Sequence, residues 1–132
     1  MECWQEARKL VQLIYRLTKK TAFSKDFRLV GQIIGSSVSS MANISVGFHR
    51  NSNKDFMRFL DYSRASVAET VSHGYVALDQ NYISEEELEF VKQQADVVWK
   101  KVNNFISYLN KAAKKKAKPR QFDKPNQSDQ SN

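Results

Sequence analysis

Residues 82–109, YISEEELEFVKQQADVVWKKVNNFISYL, decide the fold. Ser84 stands where a helix N-cap belongs, and Glu87 sits three positions later, which completes a capping box. Ile83 and Leu88 bracket that start as a hydrophobic staple. From there Leu88, Val91, Ala95, Val98, Val102, Phe105 and Leu109 alternate by three and four, the spacing of a helix-bundle seam. Trp99 and Ile106 lie one heptad apart on its flank. A helix of about 28 residues is about 42 Å long, so its neighbours must run antiparallel and connect through short loops.

The rest of the chain supplies three such neighbours. Trp4, Ala7, Val11, Ile14 and Thr18 share one helical face, widened by Leu10, Leu13 and Leu17, and this helix is expected to end near Lys20. Ser24 is the expected N-cap of a second helix with the stripe Phe27, Val30, Ile34, Val38 (or Ser37), Met41, Ile44 and Phe48. Its other side is small: Gly31, Gly35, Ser36, Ser39, Ser40 and Ala42. Glycine costs a helix up to about 1 kcal/mol relative to alanine, so close backbone packing is expected to offset it. Ser52 or Asn53 caps a third helix with the stripe Phe56, Leu60, Ser63, Val67, Val71 (or Thr70), Gly74 and Leu78, with Phe59 adjoining. The expectation is an all-α, antiparallel up-down-up-down four-helix bundle over residues 1–112, followed by a basic, disordered tail over 113–132.

Composition agrees. The chain of 132 residues has only 4 glycines and 2 prolines, too little turn punctuation for a β-sandwich or an α/β fold. The net charge of +7 belongs mainly to the end. Residues 1–110 hold 14 basic and 12 acidic side chains, whereas 111–132 hold 7 and 2. A basic segment of this kind attracts polyanions in a salt-dependent way. The single cysteine, Cys3, excludes an internal disulfide. No signal peptide and no apolar run of membrane-spanning length is read, so a cytoplasmic location without a membrane partner is expected.

Catalytic chemistry finds little support. His49, His73 and Cys3 are scattered, which argues against a metal site and leaves no cofactor to assign. The serines of helix 2 lack a base and an orienting group, and no glycine-rich phosphate loop is present. A non-enzymatic protein is expected. The positive feature is the ladder Arg50, Lys54 and Arg58 at i, i+4 and i+8, with Arg64 roughly on the same side. Such a ladder can track phosphates, with Lys114, Lys115, Lys116, Lys118 and Arg120 as a flexible clamp. Asp55 and Asp61 are close enough to neutralise part of it. Phe56 and Phe59 fit the apolar period and read as core, and Asn43 reads as a helix–helix hydrogen bond.

Several identities are more specific than a heptad. Trp4-Gln5, Ala7, Ile14-Tyr15, Thr18, Ala42-Asn43-Ile44, Gly47-Phe48, Arg50, Ser52, Phe56, Arg58-Phe59-Leu60, Arg64, Ser66, Ala68-Glu69 and Tyr82-Ile83-Ser84 together resemble one family. It comprises small four-helix-bundle proteins encoded within intervening sequences of bacterial 23S ribosomal RNA genes. The resemblance covers about residues 4–110. The chain departs from the family pattern at Val46 (usually acidic), Ala65 (usually glycine), Asn81 (the glycine of a GYI turn) and Ile33-Ile34 (usually a basic pair). The resemblance implies a ring-shaped homo-oligomer, a pentamer, with a link to RNA. A related branch comprises bundles that work beside the reverse transcriptase of diversity-generating retroelements and hold nucleic acid.

Two functions follow as expectations. The first is a nucleic-acid-binding homo-oligomer, RNA favoured over DNA, with Gly31, Gly35, Ser39, Ala42, Trp99 and Ile106 at the subunit interface. The second is a protein-interaction scaffold, such as a partner of a retroelement reverse transcriptase, whose apolar flanks (Tyr15, Tyr62, Trp99, Ile106) recruit a protein.

Overall fold

A computed structural model describes residues 1–117, with side chains described through residue 115. Helix α1 spans Glu2–Thr18, α2 is a single turn at Thr21–Ser24, α3 spans Phe27–Phe48, α4 Asn53–Asp79 and α5 Glu85–Ala117. No strand occurs among the described residues. The four long helices alternate in direction, and each packs on two others: α3 on α1 and α4, α5 on α1 and α4. The fold is all-α, and the short α2, which periodicity did not anticipate, turns the chain from α1 into α3.

The α5 seam is as the spacing dictates. Leu88, Val91, Ala95, Val98, Val102 and Leu109 are all buried. The capping box closes both ways: Glu87 N–H donates to Ser84 Oγ at 3.1 Å, and Ser84 N–H donates to Glu87 Oε1 at 2.8 Å. Helix α5 continues past the expected boundary at residue 112 to Ala117. Lys114 and Lys115 therefore lie on a helix rather than in a disordered tail. Lys118 and Arg120 fall outside the described residues, as does the side chain of Lys116.

Helix α3 corrects the sequence reading in three respects. Its N-cap is Asp26, whose carboxylate accepts Leu29 N–H at 3.1 Å, not Ser24, which belongs to α2. Its buried face is Leu29, Ile33, Ser36, Ser37, Ser40, Ile44 and Gly47, so the expected stripe is rotated partly off the core: Ile44 and the alternative Ser37 are buried, Val30, Ile34 and Met41 are half-buried against the core, and Phe27, Val38 and Phe48 face outward. Phe27 is 83% exposed and Phe48 56%. Asn43 is satisfied within its own helix, donating to the Ser39 carbonyl at 2.9 Å. The helix is also long and apolar enough to cross a membrane by length and composition alone, contrary to the sequence expectation.

The rotation has a physical cause. Serines let α3 and α4 approach closely, and their hydroxyls satisfy one another across the seam. Ser63 Oγ donates to the Ser40 carbonyl at 2.6 Å, Ser36 Oγ and Thr70 Oγ1 bond at 2.8 Å, and Ser66 Oγ donates to Ser39 Oγ at 3.0 Å. No buried side-chain polar atom among the described residues lacks a partner, so the desolvation cost of these hydroxyls is met. Close approach peaks at Gly47, where an added Cβ would lie 2.8 Å from Phe59 Cβ and 2.9 Å from Phe56 Cδ1. Gly31 and Gly35, by contrast, face open space.

One end of the bundle is fastened by polar contacts. Tyr82 hydroxyl donates to the capping Asp26 at 3.0 Å and its ring stacks on Phe23 at 5.3 Å, so the phenol's ionisation is pushed up by the neighbouring carboxylate. Lys20 pairs with Glu87 at 2.7 Å, which holds that carboxyl below its ordinary range. The α4–α5 turn closes with Tyr82 N–H on the Ala77 carbonyl at 2.9 Å, a Schellman-type bond, with Asn81 at φ 61°. Asparagine is among the few non-glycine residues that tolerate this left-handed conformation.

Candidate nucleic-acid interface

The antiparallel order brings four segments to the opposite end: the start of α1, the α3–α4 turn, the start of α4 and the last turns of α5. Arg50, Lys54 and Arg58 therefore share that end with Lys111, Lys114 and Lys115, some 60 positions away in sequence. All six are exposed. Arg58 pairs with Asp55 at 3.3 Å, with both side chains about half exposed, so the pairing is weak and screened by salt. Arg50 and Lys54 make no ion pair among the described residues.

Rings organise these cations. The Arg50 guanidinium lies 4.6 Å from the centre of the Phe59 ring, and that of Arg58 lies 5.1 Å from Phe59 and 5.9 Å from Tyr62. Phe59 and Tyr62 meet edge to face at 5.4 Å. A second run of rings passes from His49 through Phe48, Phe56 and Phe105 to Tyr108, with centroids 5.1–6.1 Å apart, and joins the ends of α3 and α5 to the start of α4. Phe56 is buried as expected, whereas Phe59 is half-buried and carries two cations. The sequence signal for this was the adjacency of Arg58 and Phe59. The position of Arg50 over that ring depends on Gly47, whose missing side chain lets Phe59 close in.

Arg50 lies in the turn before α4, so only Lys54 and Arg58 of the expected ladder share a helix, and Arg64 does not extend their row. Six residues beyond Arg58 it is about 120° around the helix. Its guanidinium donates to Asn103 Oδ1 at 2.7 Å and Asp61 Oδ1 at 2.5 Å, and lies 5.7 Å from the Trp99 ring. It ties α4 to α5. Trp99, half exposed, also lines a shallow groove of about 390 Å³ with Val67, Val71, Ala95, Lys92 and Asp96. Ile106 is half-buried against the core. Gly31, Gly35 and Ala42 lie on the exposed side of α3, whereas Ser39 is half-buried and bonded towards α4. Cys3 is buried, and burial pushes its thiol above the ordinary range. Among the described residues no cluster of His, Cys, Asp or Glu is placed to hold a metal ion.

The fold and this end together define a small antiparallel helical bundle with a basic, ring-backed tip. The sequence pattern of the 23S rRNA-intervening sequence protein family matches residues 1–104, and the chain belongs to that family. Among solved structures it is similar to a protein of unknown function from the S23 ribosomal protein family of Bacteroides thetaiotaomicron VPI-5482. The two superpose with a TM-score of 0.73 at 23% identity, over 79% of this chain and 97% of that one, a likeness of fold. A search of curated proteins finds no match.

Proposed function

We propose that this protein is a non-enzymatic, self-associating bundle that binds nucleic acid, RNA in preference to DNA, through its basic end. The observation that supports this reading is the exposure of Arg50, Lys54 and Arg58 at the end of the bundle that the last turns of α5, with exposed Lys111, Lys114 and Lys115, also reach; of these six, only Arg58 has an ion pair among the described residues, to half-exposed Asp55. Each cation that reaches a phosphate releases a condensed counterion. Membership of a family defined by 23S rRNA intervening sequences favours RNA. Titrating a structured RNA hairpin at several salt concentrations tests it. Affinity should fall linearly with log salt, and no binding at low salt would contradict the reading.

Self-association is supported by the outer face of α3. Phe27, Gly31, Gly35, Val38, Ala42 and Val46 are all exposed and uncharged, and from Phe27 to Phe48 the only charged residue is Arg28. A second copy suits this face better than lipid, because the opposite side of α3 is bonded to charged, water-facing α4. Five copies, the number the family resemblance implies, would multiply weak phosphate contacts into useful avidity. Val38→Asp should yield a folded monomer by light scattering and circular dichroism. The groove beside Trp99 supports a second reading, a scaffold for a partner protein. That reading gains if Trp99→Ala loses a protein partner while RNA binding is retained.

A further inference from the structure

The nucleic-acid reading is silent on the form of nucleic acid, and the basic end holds an arrangement that electrostatics alone does not require. We propose that Arg50, Phe59, Arg58 and Tyr62 form a stacking ladder for unpaired nucleotides, which makes single-stranded or looped segments, not duplex, the ligand of this surface. The inference rests on the nucleic-acid reading above and adds to it the state of the bases.

Three features support it. The two guanidiniums are anchored over ring faces at 4.6 and 5.1 Å. The Arg50 guanidinium, held over one ring, has its other flat face to offer a base, which lysine's compact ammonium cannot do, while Arg58, shared between Phe59, Tyr62 and Asp55, holds the two rings in line beside it. Tyr62 is 45% exposed, adjoins both Arg58 and Phe59, and its hydroxyl has no hydrogen-bond partner among the described residues. Finally, Lys54 lies one turn before Arg58 without an ion pair among the described residues, so a strand stacked on the ladder finds a phosphate partner beside it.

Duplex RNA cannot use such a ladder. Its bases are stacked internally, and its deep, narrow major groove excludes side chains; splayed bases of loops and single strands stack freely on aromatic and guanidinium planes. A phosphate-only surface would bind both forms according to charge density and would favour the duplex.

The test uses the full chain and three labelled probes of about 12 nucleotides, within the usual site size: single-stranded oligo(A), an A·U duplex of equal length, and an abasic strand. Fluorescence anisotropy at low salt compares the wild type with Tyr62→Ala and with the charge-preserving pair Arg50→Lys and Arg58→Lys. Both variants change exposed positions, and circular dichroism confirms their folding. The expected result is tighter binding of oligo(A) than of the abasic strand. It includes roughly tenfold loss of oligo(A) affinity in each variant, with duplex affinity unchanged within about twofold because charge is retained. Equal wild-type affinity for oligo(A) and the abasic strand, or variants that bind oligo(A) like the wild type, would overturn the stacking ladder and leave phosphate binding standing. Absence of binding to all three probes would overturn both.

Discussion

The two ends of the bundle use the same residue types to opposite purpose. At the end holding α2 and the α4–α5 turn, charges and rings are spent on each other: Asp26 caps α3 and accepts from Tyr82, and Glu87 caps α5 and pairs with Lys20. At the other end Arg50, Lys54 and the α5 lysines stay exposed, and the rings lie under cations rather than under carboxylate-bound phenols. A charge fixed in a cap stabilises the fold, and a charge left facing water remains available to a polyanion. On the proposed function, stability and binding are divided along the long axis.

The largest expected effect comes from reversing charge at one end and not the other. Arg50, Lys54 and Arg58 changed together to Glu should flatten the slope of log affinity against log salt by about 2 units for single-stranded RNA. Three lost phosphate contacts at about 0.7 each give that value. The matched reversal of Lys19, Lys25 and Arg28 at the fastened end should change the slope by less than about 1 unit. Equal loss from both triples would erase the distinction between the ends.

Stability should respond next, through the two close-packed glycines. Gly47→Ala places a methyl against Phe59 Cβ and backbone of Phe56, neither of which can swing aside, so unfolding should become easier by about 1–3 kcal/mol. Gly74→Ala meets only the flexible tip of Leu88 at 3.0 Å and should cost less. Chemical denaturation of both variants measures the difference. Gly47→Ala should also weaken RNA binding, since Phe59 carries both arginines.

Smaller effects belong to the fastened end. Ser84→Ala removes a cap and should cost about 1 kcal/mol. The folded carboxyl of Glu87 titrates below its ordinary value, chiefly through the hydrogen bond from Lys20. Its contribution is therefore fully present above the unfolded value and is lost as pH falls from there through the folded one. Glu87→Gln should flatten that acid limb of a thermal-melt series. Asn81→Gly, by relieving a left-handed asparagine, should stabilise by at most about 1 kcal/mol, read as a slightly raised Tm.

How far the sequence carried the reading varied by helix. The α5 seam was legible because large apolar residues repeat without interruption, and hydropathy and burial coincide there. The phase of α3 was not, because its buried face is set by size: Ser36, Ser37 and Ser40 go inward where hydroxyl partners on α4 await them, while Phe27 and Phe48 go outward. Periodicity registers hydrophobicity and is blind to a seam that serines close. For the candidate interface, i and i+4 spacing placed Lys54 beside Arg58. It could not place Arg50 over Phe59, bring in Lys111 from the far end of α5, or foresee that Asn103 captures Arg64 across 39 residues.

Photo-crosslinking of thiouridine-containing RNA, mapped by mass spectrometry on the full chain, tests the central claim most directly. Crosslinks should gather between Gly47 and Tyr62 and along the last turns of α5, and should be sparse around Lys20–Arg28 and the α4–α5 turn. Crosslinks concentrated at those fastened segments, or spread evenly along the bundle, would contradict it.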